Sequence, residues 1–510
     1  MGYLIGIDIG TTATKTILMS ADGSILATAT YSYPLCQERN GWAEQDPHDW
    51  KNAALSTLKQ VVSDAGVKKE DVLGIGLSGQ MHGLVMLDEV GEPIRNSIIW
   101  CDQRADEQVK QMLKLMPNEK WLEITANPPL AAWTAAKILW IKEHEPDTYA
   151  RCKKIMLPKD YIRYVLTGVF ATDVSDASGM QLMNVKERCW SDEILQLLQI
   201  ERTLLCEILE SQEASGQLLA DIANLCGLSE KTIVAAGASD NAAAAVGLGV
   251  VNNGESLTSL GTSAVLYTHL DQYSTIPNGS LHICCSAVKG CWHIMGSATA
   301  GGLSLKWFKD NFCVDYIQQA QQLGQDVYEY INEVVKDVPI GSDRLIYLPF
   351  LMGERTPNMN PDCRGVFYGL SAVHTKGNLL RSIMEGVAYT LNDCLEIIRT
   401  VGVDVKSMRV CGGGAQSPVW REILADLYQC KISTLRHEHG AAFGVAILAG
   451  VATNVFESVS SACESLIFED QHTFSNADNT ETYLKYFHIY RTLYSSIKST
   501  FTDLAKVDLK

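Results

Sequence analysis

Two polar glycine turns, Gly10-Thr11-Thr12 and Gly261-Thr262-Ser263, stand about half a chain apart, and each joins two apolar, β-branched runs. Residues 3–9 and 13–19 flank the first turn; residues 255–260 and 264–268 flank the second. A short turn between such runs folds them back as an antiparallel pair. In the first half the Asp22-Gly23 turn leads into a third strand over 25–33, and in the second a hairpin about Lys289-Gly290 spans 281–295. Helices and further strands follow in both halves, which predicts α/β architecture twice over. Identity between the halves is slight, so the parallel is one of layout.

A chain of 510 residues exceeds what one hydrophobic core serves, and predicts two large domains or three small ones. The division taken here is 1–246 and 247–510. No long Pro/Ser linker separates the halves, so a cleft between them is the expected ligand site. Asp46, with Pro47 at the first helical position, starts a helix whose buried stripe is Trp50, Ala54, Leu58 and Val61. Strands are expected over 72–77, 84–87 and 407–411, and helices over 134–145, 159–166 and 301–312.

The formal charge of −17 argues against nucleic acid or an anionic membrane as a general partner. Any phosphorylated ligand would need local amides and a metal to offset that field. The odd count of fifteen cysteines fits reduced thiols. With no basic leader and no apolar run of spanning length, the expected location is cytoplasmic.

Several motifs compete for a chemical role. Gly74-Ile75-Gly76-Leu77-Ser78-Gly79 matches a dinucleotide fingerprint, but its glycines fall inside a strand where the fingerprint needs a strand-to-helix turn. No Walker-type phosphate loop is present. His282, Cys284 and Cys285 face Cys291 and His293 across a hairpin, a zinc-like grouping that ordinary core packing also produces. Gly412-Gly413-Gly414-Ala415 lets backbone approach a flat or anionic ligand, or makes a tight connection to a helix opened by Ser417 and Pro418. Gly440 to Gly444 opens another small-faced helix, expected to press against that site.

In Asp8-Ile9-Gly10-Thr11-Thr12-Ala13-Thr14-Lys15, a strand-end acid precedes a turn that offers amides and hydroxyls to a terminal phosphate. Asp8 is the candidate Mg²⁺ ligand through water, and Lys15 adds a point charge. Lastly, Asp240-Asn241 interrupts a run of alanine and glycine between Gly237 and Gly247. Ser239 or Asp240 caps a helix, or Asp240 is a catalytic carboxylate.

Taken together, these elements resemble the FGGY family of carbohydrate kinases, within the actin/sugar-kinase superfamily of two ribonuclease-H-like domains. The resemblance covers essentially the whole chain. One family signature is matched by Gly365-Val366-Phe367-Tyr368-Gly369-Leu370 and continues through Asn378 and Ser382 to Val387; another by Thr134-Ala135-Ala136-Lys137 and Trp140, where Ala132 departs from the usual residue. Ser78-Gly79-Gln80-Met81-His82-Gly83 is similar to the xylulokinase branch, whereas glycerol kinases carry Arg-Glu at the Met81-His82 positions.

The resemblance implies ATP-dependent phosphorylation of D-xylulose in pentose catabolism, with Mg²⁺ as cofactor and a homodimer as the candidate assembly. Other FGGY sugars (ribulose, gluconate, a 1-deoxy-ketose) are alternatives, as is an ATP-driven binding protein of the actin/Hsp70 kind. It further implies that Met81, His82 and Asn241 contact the sugar and that Asp240 is the general base. It also implies that Gly261, Thr262, Gly302, Lys306, Gly413, Gly414 and Pro418 line the nucleotide site, while the chemistry of the first turn would put Thr11, Thr12 and Lys15 at the phosphates. The helix N-terminus should keep Asp240 ionised without a strongly raised pKa, and the alanines behind it should leave space for the sugar. For the carboxylate of gluconate the sequence offers no identifiable cation.

Overall fold

In the computed structural model, which describes residues 2–507, both glycine turns form between antiparallel strands. Tyr3–Ile9 pairs with Ala13–Ser20, which pairs with Ile25–Ser32; on its other side Tyr3–Ile9 runs parallel to Val72–Gly79, followed by Ile233–Ala235. The second half repeats this order. Ser256–Leu260 pairs antiparallel with Ala264–Leu270 and then Trp292–Ala298, and parallel with Ser407–Cys411 and then Lys431–Leu435. Two sheets with one shared strand plan are the duplicated ribonuclease-H-like fold. The architecture is α/β throughout, with mixed sheets covered by helices.

Central strands are buried on both faces, which is why Leu4, Ile5, Ile7 and Ile9 read as a nearly unbroken apolar run. Helix Pro47–Ala65 buries Trp50, Ala54, Leu58 and Val61 as its spacing predicts, and Asp46 accepts from the His48 amide at its start. The other face is covered from the opposite half of the chain. Helix Gly440–Ala452 lies so close to the first sheet that a Cβ on Gly6 would sit 1.8 Å from the Ala442 carbonyl oxygen.

That helix also explains the alanine run. Helix Asp240–Gly247 packs backbone to backbone against Gly440–Ala452, and a Cβ on Gly444 would lie 1.9 Å from the Ala243 carbonyl oxygen. Ala242 and Ala243 are buried in this contact, while Ala245 is buried on another side, with Leu257 and Tyr267 of the second sheet. Two expectations are thereby corrected. The alanines serve helix packing and do not leave space for a sugar, and Gly440 to Gly444 presses on the Asp240 helix and the first sheet.

A second joint between the halves is polar. The hairpin of His282–Cys285 and Trp292–Ala298 receives Asn127 Nδ2 on the Ile283 carbonyl at 2.7 Å and Arg188 on the Cys291 carbonyl at 2.9 Å. Among the described residues no helix is long and apolar enough to cross a membrane.

Candidate active site

Sheet register brings two acids to one edge. Asp8, near the end of Tyr3–Ile9, pairs with Ser78 of the neighbouring strand. On that strand's other side Ala238 also pairs with Ser78, and Ser239 with Gly79, so Asp240 emerges at the same C-terminal edge. This is where ligands bind in sheets with parallel strands.

Asp240 is the first residue of its helix, and Ser239, the cap position, makes no side-chain cap bond. Asp240 Oδ1 instead accepts from the Asn241 amide at 2.7 Å and from Asn241 Nδ2 at 3.0 Å. Ser239 therefore does not cap the helix, while Asp240 does take one of its free first-turn amides. Burial, reinforced by the Asp8 charge, pushes the Asp240 carboxyl up to about 7. This corrects the expectation of an unperturbed acid: desolvation outweighs the favourable helix terminus.

Beneath this edge lies a fully buried ionic cluster. Lys159 Nζ contacts Asp173 at 2.8 Å and Asp176 at 3.4 Å, and Arg163 reaches Asp160 at 3.0 Å. Asp173 Oδ2 accepts from the Ser175 hydroxyl at 2.6 Å, and Ser175 Oγ accepts from the Ser239 amide at 3.0 Å. The backbone immediately before Asp240 is thus tied to a rigid base.

Met81 and His82 stand beside this acid. Asn241 Nδ2 lies 3.7 Å from Met81 Sδ. His82 has φ 64, the left-handed region that few residues other than glycine occupy. Its carbonyl accepts from Lys137 Nζ at 2.9 Å and Thr134 Oγ1 at 3.2 Å, so the Thr134-to-Lys137 signature serves to hold this strained residue. The ring stacks on Trp133 with centroids 4.7 Å apart, and Nδ1 lies 2.9 Å from the Gly179 carbonyl. Burial, then the Lys137 charge, holds His82 well below the usual imidazole range. A neutral ring with Nδ1–H donating to Gly179 leaves Nε2 as a hydrogen-bond acceptor.

At the first turn, Trp100 Nε1 donates to Thr11 Oγ1 at 2.9 Å, and Gln45 Nε2 donates to the Thr11 carbonyl at 2.7 Å. Thr12 and Lys15 are exposed. Lys15 is directly opposite Asp8 across the antiparallel pair and shares its face. Burial raises the Asp8 carboxyl, while Ser78 and Lys15 pull it down. Its Oδ1 is buried without a hydrogen-bond partner. In the segment after Trp100, Asp102 and Arg104 form a buried ion pair at 2.7 Å, and Arg104 stacks over Trp42. Those two are structural.

The second half holds a cavity of about 670 Å³. Six sequence-selected residues line it: Gly261, Thr262, Gly302, Lys306, Gly413 and Gly414. Pro418 is not among the lining residues; its neighbour Ser417 is, and caps the helix Pro418–Tyr428 through the Trp420 amide. Lys306 is largely exposed and paired with Asp310. Tyr328, Asn332 and Trp420 complete the wall. Tyr328 and Asn332 come from the helix Val327–Lys336, which carries no nucleotide-like signature, whereas Trp420 lies on the helix that follows the Gly412-to-Ala415 turn.

The decoys dissolve. Gly74, Gly76 and Gly79 all lie within the strand Val72–Gly79. His282 turns to Asn127 and His293 stacks on Tyr267, so the zinc-like set does not assemble. Among the described residues the metal-competent group is His269, Asp271 and Cys291, which shares one member with that set.

Residues 3–247 match the N-terminal domain of the FGGY family of carbohydrate kinases, and residues 257–453 match its C-terminal domain. The xylulose kinase of Bacillus subtilis (strain 168) is 36% identical over 504 residues, 99% of each chain. The ligand-bound xylulose kinase from Lactobacillus acidophilus matches with a TM-score of 0.92 and 26% identity, covering 99% of this chain and 100% of that one. The gluconate kinase from Lactobacillus acidophilus matches equally, TM-score 0.92 and 26% identity, covering 99% of both.

Proposed function

Because the chain belongs to the FGGY family of carbohydrate kinases, we propose that it transfers the γ-phosphoryl group of ATP to D-xylulose, giving ADP and D-xylulose 5-phosphate. Residues 1–246 form the sugar-binding half and 247–510 the nucleotide half. The observation that carries the reading is Asp240, a desolvated carboxylate beside Met81 and His82 at the sheet edge. Asn241 orients it through Oδ1, leaving Oδ2 for the attacking hydroxyl.

As the new sugar O–P bond forms and the bond to ADP breaks, Asp240 takes the hydroxyl proton. A carboxylate near pKa 7 is well matched to that task at neutral pH. His82 Nε2 accepts from a sugar hydroxyl and Met81 packs on the carbon skeleton. The Gly261, Thr262, Gly302, Lys306, Gly413 and Gly414 wall takes the nucleotide, with Pro418 behind Ser417 fixing the helix start. Thr11, Thr12 and Lys15 face the terminal phosphate.

Asp8 fits a hydrated Mg²⁺, because its buried Oδ1 lacks any partner and Lys15 does not pair with it. Held there, Mg²⁺ would supply positive charge to offset that of the phosphates. Asp240→Ala should leave a folded protein that binds ATP but phosphorylates sugar roughly 10²–10⁴-fold more slowly. Retention of more than about a tenth of the wild-type turnover would remove Asp240 from the base role.

One observation favours a second reading. Arg355 lies over Trp100 with Cζ 5.2 Å from the ring centroid, and its charge bears on His82 and His282. The structure thus supplies a cation where the sequence offered none, and gluconate is the alternative substrate that could use it.

A further inference from the structure

Arg355 sits on a loop of the second half between the paired strands Ile346–Leu348 and Val366–Tyr368. Its neighbours on both sides are pinned. Glu354 and Asn360 exchange backbone hydrogen bonds at 2.9 and 3.0 Å, and Thr356 Oγ1 donates to the Ser297 carbonyl at 3.0 Å. Both flanking residues are buried, whereas the Arg355 side chain extends to Trp100 in the first half. Trp100 is in turn fixed by its bond to Thr11. The loop therefore delivers a guanidinium across the cleft on a short tether.

Apart from the Trp100 ring, that guanidinium has no protein partner among the described residues. No carboxylate or carbonyl among the described residues takes a hydrogen bond or ion pair from it. Arg355 is exposed, yet surrounding protein still lowers its pKa by desolvation. An arginine carries five donors in a rigid fork and is costly to hold partly desolvated and unpaired. Such a group is arranged for a ligand.

Its position selects which part of the ligand. Leu84 and Ile98 pair antiparallel, the Leu84 amide donating to the Ile98 carbonyl at 3.0 Å, which brings the Trp100 segment under Arg355 alongside His82; the Arg355 charge accordingly bears on His82 and His282. The forces on Asp240 are burial, Asp8 and Asn241, with no cation among them. Arg355 therefore addresses the His82 side of the pocket, away from the hydroxyl that attacks phosphorus. We propose that Arg355 is a specificity-determining residue that donates hydrogen bonds to the C1–C2 hydroxyketone end of the substrate. This rests on the ketose-kinase reading above. Its contact spans the two halves, so the sugar site is complete only when both are in place.

The test compares wild type, Arg355→Met and Arg355→Lys on D-xylulose and on 1-deoxy-D-xylulose, with nucleotide affinity and melting temperature measured beside the kinetics. Arg355→Met should lower kcat/KM for D-xylulose by about 10- to 100-fold, the scale of a lost charged hydrogen bond. On the 1-deoxy sugar the loss should be smaller, because one of the bonds is already missing; Arg355→Lys should recover only part of the loss. ATP affinity and melting temperature should stay close to wild-type values, since the protein contact removed is the stacking on Trp100, which the methionine side chain partly replaces. Equal losses on both sugars, a fall in ATP affinity, or a lowered melting temperature would each overturn the assignment. A wild-type chain inactive on every ketose would instead overturn the reading on which it rests.

Discussion

Asp8 and Asp240 leave two strands that flank a common neighbour at Ser78, and the charge on Asp8 makes Asp240 harder to ionise. Both carboxylates belong to one sheet edge, and their separation is set by strand spacing. A like charge nearby and burial act in the same direction on Asp240. The pair therefore links the expected Mg²⁺ ligand to the expected base.

The pH dependence follows. Only ionised Asp240 accepts a proton, so kcat/KM should fall about tenfold per pH unit below an inflection near 7. Asp8→Asn removes the like charge and should move that inflection toward acid even as it lowers activity. Stability runs the other way. Because the folded pKa is raised above the unfolded value, the folded state holds a proton that the unfolded state has lost between about pH 4 and pH 7. Wild type thus loses stability across that window as pH rises. Asp240→Asn should melt higher than wild type at pH 8 and match it at pH 4. Melting curves that differ equally at both pH values would contradict this.

His82→Ala should weaken ketose binding by about 1–3 kcal/mol, the cost of leaving a buried sugar hydroxyl unpaired, and leave ATP binding unchanged. Separate titrations of the two ligands decide it. Equal losses for both would make His82 structural, a role its strained backbone and stacking on Trp133 would then serve alone.

Two adjacent glycines should behave differently. A Cβ on Gly413 meets nothing within 4 Å, so Gly413→Val projects into the nucleotide cavity and should raise KM for ATP while keeping the melting temperature. A Cβ on Gly414 would lie 2.7 Å from Leu260 Cβ and 3.0 Å from the Trp420 ring, so Gly414→Ala should cost stability, about 1–3 kcal/mol for overpacking. Kinetics with varied ATP and thermal melts on both variants check this. An unstable Gly413→Val would mean that its neighbourhood is core and not cavity wall.

What was legible in the sequence was whatever chemistry is local. The turns at Gly10 and Gly261, the Asp46-Pro47 helix start and the Ser417 cap are each written in adjacent residues, and all form. The meaning of the alanine run was not legible, because its partner is helix Gly440–Ala452, far along the chain. Asp240 was legible as an acid but not as a perturbed one, since burial depends on the assembled cleft. Arg355 could not be found from sequence pattern: it carries no motif of its own, and its value comes from Trp100 in the other half.

The substrate is decided by kcat/KM from coupled ADP detection on D-xylulose, D-ribulose, glycerol and gluconate under the same conditions. A pocket that reads hydroxyls through Asp240, His82 and Arg355 should reject sugars that leave these groups unpaired. D-xylulose should exceed the other three by at least about tenfold, only ~1.4 kcal/mol of differential transition-state binding. A higher value for any of the other three would contradict D-xylulose as the substrate.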